Sequence, residues 1–296
     1  MTPIAFLKMT HKLRHSENKR VRYMQRLRDA WLVFCFIVAA ILLLNTWHYK
    51  STFSNEKIDA AFEPITSKYG IKIVYEVSDD YFFPEERTII PAGPPRSSKI
   101  KPIYRRVLVR YPRILQKAFD KYPVDIIKRY LNAIYFAGEI DDGEAKYAGT
   151  LDPFRRIVYL VDNGYYDDEQ AISTFHHEFC TMLLRSHSFY VNPWTDNHPK
   201  DFKYLWEIYD AWEEVREARL SVTDEYCYER GIVTNYGLTT FSNDLSEYSS
   251  MIFTYPEKFK KIMNQYPRVR GKFLVWLEFY QKIDPIFTEA YLLGEK

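Results

Sequence analysis

The sequence is poor in cysteine, with three among 296 residues. Only Cys180 and Cys227 lie beyond residue 50, which leaves one disulfide open and excludes a small scaffold held together by disulfides. The chain also shows no internal repeat and little low-complexity sequence. Its 47% hydrophobic and 17% aromatic content instead predicts an ordered protein that is held by an apolar core.

The sequence also lacks a large net charge, since its formal charge is +2. The near balance of acidic and basic residues over the whole chain nevertheless conceals a basic N-terminal arm. Residues 1–29 hold eight Lys or Arg against Glu17 and Asp29. A basic arm can bind nucleic acid. The sequence that follows it favours another role, the positive flank of a membrane helix, and we therefore expect no nucleic-acid partner.

The segment after this arm is an uncharged apolar run. It covers residues 30–44, AWLVFCFIVAAILLL. Its continuation to residue 49 provides the about 20 residues that a membrane-crossing helix needs. Trp31, Trp47 and Tyr49 supply aromatic anchors for the two membrane interfaces. The run therefore predicts a transmembrane helix.

Topology follows from the position of the basic residues. No small-x-small cleavage site follows Leu44, which favours an uncleaved signal-anchor over a cleaved signal peptide. Basic flanks stay in the cytoplasm. We therefore predict a basic cytoplasmic arm at 1–29, a single-pass transmembrane signal-anchor at 30–49 and an extracytoplasmic, periplasmic domain at 50–296.

The exported part is predicted to be a single α+β domain. Alternating apolar residues predict strands at 71–77, 131–140, 143–150 and 156–161. Helical spacing predicts helices at 51–68, 112–122, 124–130, 202–220, 244–253, 256–265 and 269–282. A further long helix should open near Asp167 and Asp168, so that a small sheet precedes a mostly helical C-terminal half.

Catalytic chemistry is concentrated in that long helix, at AISTFHHEFCTMLLR, residues 171–185. His177 and Glu178 form the first half of the zinc-protease motif HExxH. In the complete motif two histidines at i and i+4 bind one zinc ion, and the Glu polarises the zinc-bound water. Here the position of the second histidine is occupied by Thr181.

At these residues the chain resembles a family of zinc-binding metallopeptidases of bacterial envelopes and, more distantly, the catalytic domain of anthrax lethal factor. The resemblance covers most of residues 56–260, through IKIVYEV, IVYLVD, TFHHEFCTMLL and GIVTNYGLTTFSNDLSEYSSMIF. It implies a zincin-like fold and a zinc cofactor. It also implies that His177 is the first zinc ligand, that Glu178 is the general base and that Thr181 stands where the second ligand belongs.

The resemblance extends to a second helix. In the lethal-factor-like pattern a Tyr-Gly pair precedes the third ligand, a Glu, by seven positions. Tyr236 and Gly237 match that pair, Tyr236 as the residue that assists the transition state. The ligand position falls on Asn243, and the second Glu of the helix is Glu247. Two ligand positions are therefore changed, which indicates altered or lost hydrolysis.

Other residues offer alternatives to the missing ligands. His176 and Cys180 are themselves at i and i+4 and could bind a metal one register over, or they could be a hydrogen-bonded core histidine and a buried thiol. His187 and His198 lie in or near a predicted loop and could reach the site. Asp244 could assist Glu247 and His177.

Two functions therefore stay open from the sequence. The first is a membrane-anchored, zincin-like metallopeptidase that pairs a peptide substrate along the strand at 157–162. Its zinc would be held by His177 and a carboxylate such as Glu247, with Glu178 as the base. The alternative is a non-catalytic, membrane-tethered binding or assembly protein that keeps the zincin fold.

Overall fold

The computed structural model describes Met24, Arg28, Thr46 and residues 30–44, 53–77 and 98–294. The chain divides into two compact units, with the boundary in the sequence between Lys57 and Ile58. In the first unit, residues 30–44 are helical.

The predicted basic arm at 1–29 lies outside the described residues except for Met24 and Arg28. Of the predicted signal-anchor at 30–49, residue 45 and residues 47–49 also lie outside them. Among the residues that are described, no helix combines the length and the apolar content required for a membrane span. The anchor stays a prediction.

The centre of the second unit is a four-stranded sheet. Its strands, in spatial order, are β1 (Lys72–Val74), β3 (Ala133–Ala137), β6 (Ile157–Val161) and β5 (Gly149–Asp152). The first three strands run parallel, and β5 lies antiparallel to β6 at the edge. A separate antiparallel ribbon joins β2 (Lys99–Lys101) to β4 (Glu139–Asp141).

Both faces of this sheet are covered. All five residues of β3 and all five of β6 are buried, as expected for parallel strands between two layers. Phe136 and Leu160 belong to the main core, which the helices complete. Tyr135 and Tyr159 face a second cluster that includes Ile140 of the ribbon. The sheet is thus a fixed platform beneath the helices.

Helices precede and follow the sheet. They are α1 (Asn55–Tyr69), α2 (Arg105–Leu108), α3 (Tyr111–Phe119), α4 (Val124–Tyr130), α5 (Asp168–Ser186), α6 (Val191–Thr195), α7 (Trp212–Leu220), α8 (Asp224–Glu229), α9 (Phe241–Thr254), α10 (Pro256–Gln265), α11 (Pro267–Ile283) and α12 (Glu289–Leu293). Helix α5 begins at a capping box, in which Asp167 and Gln170 satisfy each other's backbone N–H groups. This cap fixes where the His-Glu helix starts.

Helices α5 and α9 pack directly against each other. Ser250 Oγ donates a hydrogen bond to the Ser173 carbonyl at 2.9 Å, and the hydroxyls of Thr181 and Ser246 lie 2.8 Å apart. Small side chains at this contact allow a close approach. The two sequence motifs, which are about sixty residues apart, are thereby brought side by side.

A buried ion pair anchors α9 to α11. Lys272 Nζ lies 2.5 Å from Asp244 Oδ2, and both side chains are fully buried. The same oxygen accepts hydrogen bonds from Trp194 Nε1 and from the Tyr204 hydroxyl, each at 2.8 Å. Buried charges are tolerated when they are paired and hydrogen-bonded in this way. Asp244 is therefore a structural residue.

The mixed α+β class is confirmed, with a small sheet and a helix-rich remainder, and so is the long helix that opens at Asp168. The continuous helix predicted at 202–220 is wrong, because its first part holds only a 3-10 turn at Leu205–Glu207 before α7. Tyr204 has an extended backbone and bonds Asp244. This tertiary contact overrides the local helical spacing.

The predicted strand at 143–150 begins only at Gly149. Just before it, Asp142 Oδ1 accepts the backbone N–H groups of Glu144 and Ala145, which closes a turn. The disulfide left open by the sequence does not form, since Cys180 and Cys227 are both free and buried.

Candidate functional site

The His-Glu pair of α5 lies at a cleft of about 580 Å³. The edge strand β5 borders one side of this cleft, and α7 borders another. The predicted site residues His177, Glu178, Tyr236 and Glu247 all line it. The structure thus brings four of the seven predicted site residues to one cavity.

His177 is held in place by a carboxylate. Its Nδ1 lies 2.7 Å from Glu247 Oε1, and Thr234 Oγ1 donates to Glu247 Oε2 at 2.7 Å. Burial alone would lower the pKa of His177, but the hydrogen bond and the charge of Glu247 outweigh it and the pKa is raised. Glu247 therefore orients the imidazole and favours its protonated form.

Glu178 is a buried carboxyl group of the cleft. Its side chain is buried, and burial raises its pKa to about 7, with a further increase from Glu247 and an opposing effect of His177. No hydrogen bond to Glu178 is present in the described part of the chain. A carboxyl group with a pKa near neutrality can accept or donate a proton at physiological pH.

Gly149 of the edge strand makes room for this carboxyl group. A Cβ atom at Gly149 would lie 2.9 Å from Glu178 Cγ, 2.9 Å from Glu178 Oε1 and 2.9 Å from Thr174 Cγ2. These separations are shorter than carbon atoms tolerate. Only glycine at this position allows the Glu178 side chain to lie against β5.

Tyr236 lies beside the imidazole, with its ring centroid 5.7 Å from that of His177. Burial raises the pKa of its hydroxyl to about 12, and the nearby carboxylates of Glu178 and Glu247 add to the effect. The hydroxyl therefore stays protonated at neutral pH. It can act as a hydrogen-bond donor to a bound carbonyl oxygen.

The two residues that the resemblance places at ligand positions, Thr181 and Asn243, form hydrogen bonds within the protein. Thr181 Oγ1 donates to the His177 carbonyl at 3.2 Å and shares a hydrogen bond with Ser246 Oγ. Asn243 Nδ2 donates to Thr239 Oγ1 at 2.7 Å. Neither side chain supplies an imidazole or a carboxylate, the groups from which zinc sites are built besides thiolates.

His176 and Cys180 do not rebuild the site, because they point into the core. His176 Nδ1 lies 2.9 Å from the Tyr122 hydroxyl. Burial lowers the pKa of His176 to about 3 and raises the pKa of the Cys180 thiol to about 11. Both groups are thus neutral and enclosed, as their interpretation as core residues predicts.

The two loop histidines also lie elsewhere. His187 Nε2 is 2.7 Å from the Tyr130 hydroxyl. The His198 ring stacks on Phe202 at 3.9 Å, and its Nε2 is 3.6 Å from the buried Asp244. None of these groups lines the cleft.

The residues present do not fit a catalytic zinc ion. A zinc of that kind takes three protein ligands and keeps one position for water. Within residues 24–294, as far as they are described, no three His, Cys, Asp or Glu side chains are grouped closely enough to hold a metal. Both oxygens of Glu247 already have partners in His177 and Thr234.

One wall of the cleft was missed by the sequence. Trp206 and Trp212 stack with their centroids 6.2 Å apart, and Arg219 lies above the rings of Trp212 and Tyr236. A signal for this wall existed, since Trp212 and Arg219 are seven residues apart and share one face of a helix.

Comparison with known proteins supports the fold. No protein-family model and no curated protein matches the chain. A matching solved structure is that of a Bacteroides caccae protein described as a "putative zinc-binding metallo-peptidase". It is 14% identical, with a TM-score of 0.51, and the match covers 80% of this chain and 88% of that one. The fold of this chain is therefore similar to that of a metallopeptidase-like protein.

Proposed function

We propose that this chain is a peptide-binding protein that keeps a metallopeptidase-like fold and has lost zinc-dependent hydrolysis. The observation that carries the proposal is the state of the two ligand positions. Thr181 is bonded to Ser246, and Asn243 is bonded to Thr239. Two substitutions in one cage, each integrated into the protein's own hydrogen bonds, leave no metal to activate water.

Peptide is the proposed ligand because an edge strand of the sheet borders the cleft. The sequence-based prediction placed the peptide beside residues 157–162, but β6 is enclosed between β3 and β5. The edge strand is β5, and Gly149 at its start lines the cleft. An extended peptide can add a strand to such an edge through backbone hydrogen bonds. The hydroxyl of Tyr236 then adds a donor.

The proposed location is the outer face of the cytoplasmic membrane. Its support is the uncharged sequence at 30–44 behind the basic arm at 1–29. A protein tethered there would meet extracytoplasmic peptides or proteins. The location is tested by protease accessibility of residues beyond 50 in intact spheroplasts.

A second candidate is a hydrolase with altered chemistry. It is favoured by Glu178, whose pKa of about 7 suits a general base, and by the retained Tyr236. This candidate requires turnover of a peptide.

One experiment separates the two candidates. The purified full-length chain is incubated with a mixture of N-acetylated, C-amidated hexapeptides, with zinc or with chelator, and the products are identified by mass spectrometry. Retention of peptides without cleavage is the expected result. Cleavage that needs zinc and disappears in Glu178→Gln would overturn the proposal and establish the hydrolase. Failure to retain any peptide would overturn peptide binding itself.

A further inference from the structure

Arg219 on α7 is a cation that the cleft holds in a fixed position. Its guanidinium carbon is 5.7 Å from the ring centroid of Trp212 and 5.4 Å from that of Tyr236. Its Nη1 donates to Asn235 Oδ1 at 3.2 Å. Two aromatic contacts and one hydrogen bond restrict the side chain to a single place at the cleft wall.

Most donors of this guanidinium have no acceptor among the residues that the structure describes. Arginine carries five N–H donors, and the Asn235 contact uses one. The Nε atom of Arg219 is buried and has no hydrogen-bond partner. No carboxylate forms an ion pair with Arg219 anywhere in the part of the chain that the structure describes. A partly buried cation without an anion is costly, which favours binding of an anion from outside.

Two of the carboxylates that line the cleft with Arg219 are already bonded. Glu247 is held by His177 and Thr234. Asp142, on the opposite side of the cleft, accepts the Tyr147 hydroxyl at 2.6 Å and backbone N–H groups. Neither carboxylate bonds the guanidinium directly, although the charge of Glu247 acts on Arg219 through space and favours a higher pKa.

The other cations near the cleft are also paired. Lys146 Nζ is 2.8 Å from Glu139, and Arg216, one turn before Arg219, is 2.8 Å from Glu213. Arg219 is thus the unpaired guanidinium that lines the cleft in the described part of the chain.

We propose that Arg219 binds a carboxylate of the peptide in the cleft, and that it makes the protein selective for peptides with an acidic side chain or a free C-terminus. The inference rests on the proposed peptide binding. A carboxylate suits this site because a planar guanidinium pairs with it through two parallel hydrogen bonds. A single negative charge also matches the single charge of Arg219. A dianion would be repelled more strongly by Glu178 and Glu247, which line the same cleft.

The test uses three hexapeptide mixtures and the full-length chain. The first two mixtures are N-acetylated and C-amidated and differ only in a central Glu or Gln. The third carries the central Gln and a free C-terminal carboxylate. Retention on immobilised protein is measured by mass spectrometry for the wild type, Arg219→Gln, Arg219→Lys and the control Arg216→Gln, whose side chain lies outside the cleft lining.

At least fivefold stronger retention of a carboxylate mixture than of the neutral mixture is expected, and the mixture preferred identifies the source of the carboxylate. The ratio of carboxylate-mixture retention to neutral-mixture retention should fall to about one in Arg219→Gln. The same ratio should stay at its wild-type value in Arg216→Gln. Arg219→Lys, which keeps the charge but not the planar donor pair, should retain part of it.

Equal retention of all three mixtures by the wild type would overturn the role of Arg219 and leave peptide binding intact. So would an unchanged preference in Arg219→Gln. The melting curve of Arg219→Gln shows whether this variant folds. If it does not, the role of Arg219 is judged from the retention preferences of the wild type and Arg219→Lys. Failure to retain any mixture would overturn both the inference and the proposed function.

Discussion

His177 and Glu247 form one of the contacts that link the two motif helices, with Nδ1 of the imidazole 2.7 Å from Oε1 of the carboxylate. Histidines that bind zinc commonly use their second ring nitrogen in this way, to contact a carboxylate outside the metal's own ligands. This chain has such a carboxylate contact at His177, whereas Thr181 and Asn243 are bonded to Ser246 and Thr239.

The first prediction concerns Glu178 and pH. Its pKa is about 7 in the folded chain, against a usual value of 4.5. The folded state therefore holds a proton that the unfolded state releases between these values, and the stability that this proton provides is lost as the pH rises through that window. The variant Glu178→Gln does not titrate. Relative to the wild type, its unfolding free energy should therefore increase by on the order of 3 kcal/mol between pH 4.5 and pH 7.

Urea unfolding of both proteins across this pH range measures the difference in unfolding free energy. Three titratable groups interact with Glu178, namely His177, Glu247 and Tyr236. They are present in both proteins, so the difference reports mainly on Glu178. Glu144→Gln, at an exposed carboxylate of the cleft rim, is the matched control for the removal of a carboxylate from the cleft. A flat difference for Glu178→Gln would contradict the assigned environment.

The second prediction is a coupling between Gly149 and Glu178. Gly149→Ala places a methyl group 2.9 Å from Glu178 Cγ and Oε1, so it should lower the unfolding free energy by about 1–3 kcal/mol. In the Glu178→Ala background those two atoms are gone, and the cost of the same methyl group should fall by half or more. A double-mutant cycle by chemical denaturation measures this. Equal costs in both backgrounds would show that the two residues are not in contact.

The third prediction concerns the buried ion pair. Lys272→Met leaves the Asp244 carboxylate with Trp194 and Tyr204 as its remaining donors, and should cost about 3 kcal/mol of unfolding free energy. The exposed pair of Arg216 with Glu213 is the comparison, and Arg216→Met should cost about 0.5 kcal/mol or less. Similar costs for the two variants would argue against a structural role for the Asp244 network.

The sequence predicted the helical contributions to the site better than the rest. Because α5 and α9 are regular helices, their spacing fixed which side chains share a face, and His177, Glu178 and Glu247 meet at the cleft. His176 and Cys180, on the same helix, are fully buried in the core. A periodic signal of this kind is local and survives folding.

Strand order and loop contacts could not be predicted from the sequence. The buried strand β6 looks the same in sequence whether it is central or at an edge, so the choice between β5 and β6 needed the pairing itself. Trp206 reaches the cleft from a 3-10 turn, in a segment whose helical spacing predicted a continuous helix instead. Tyr204, two residues earlier, donates a hydrogen bond to the carboxylate of Asp244, which is distant in sequence. This contact, and not a local helical preference, determines its conformation.

The central claim, that the zinc cage is incomplete, is tested most directly by the zinc content of the purified full-length chain. The protein is dialysed against micromolar zinc and measured by atomic emission, with Thr181→His/Asn243→Glu as the variant that restores both ligand types. The wild type should hold far less than one zinc per chain and show no shift in melting temperature with zinc or chelator. The double variant should bind zinc at least 100-fold more tightly. One zinc per wild-type chain, lost in His177→Ala, would contradict the account.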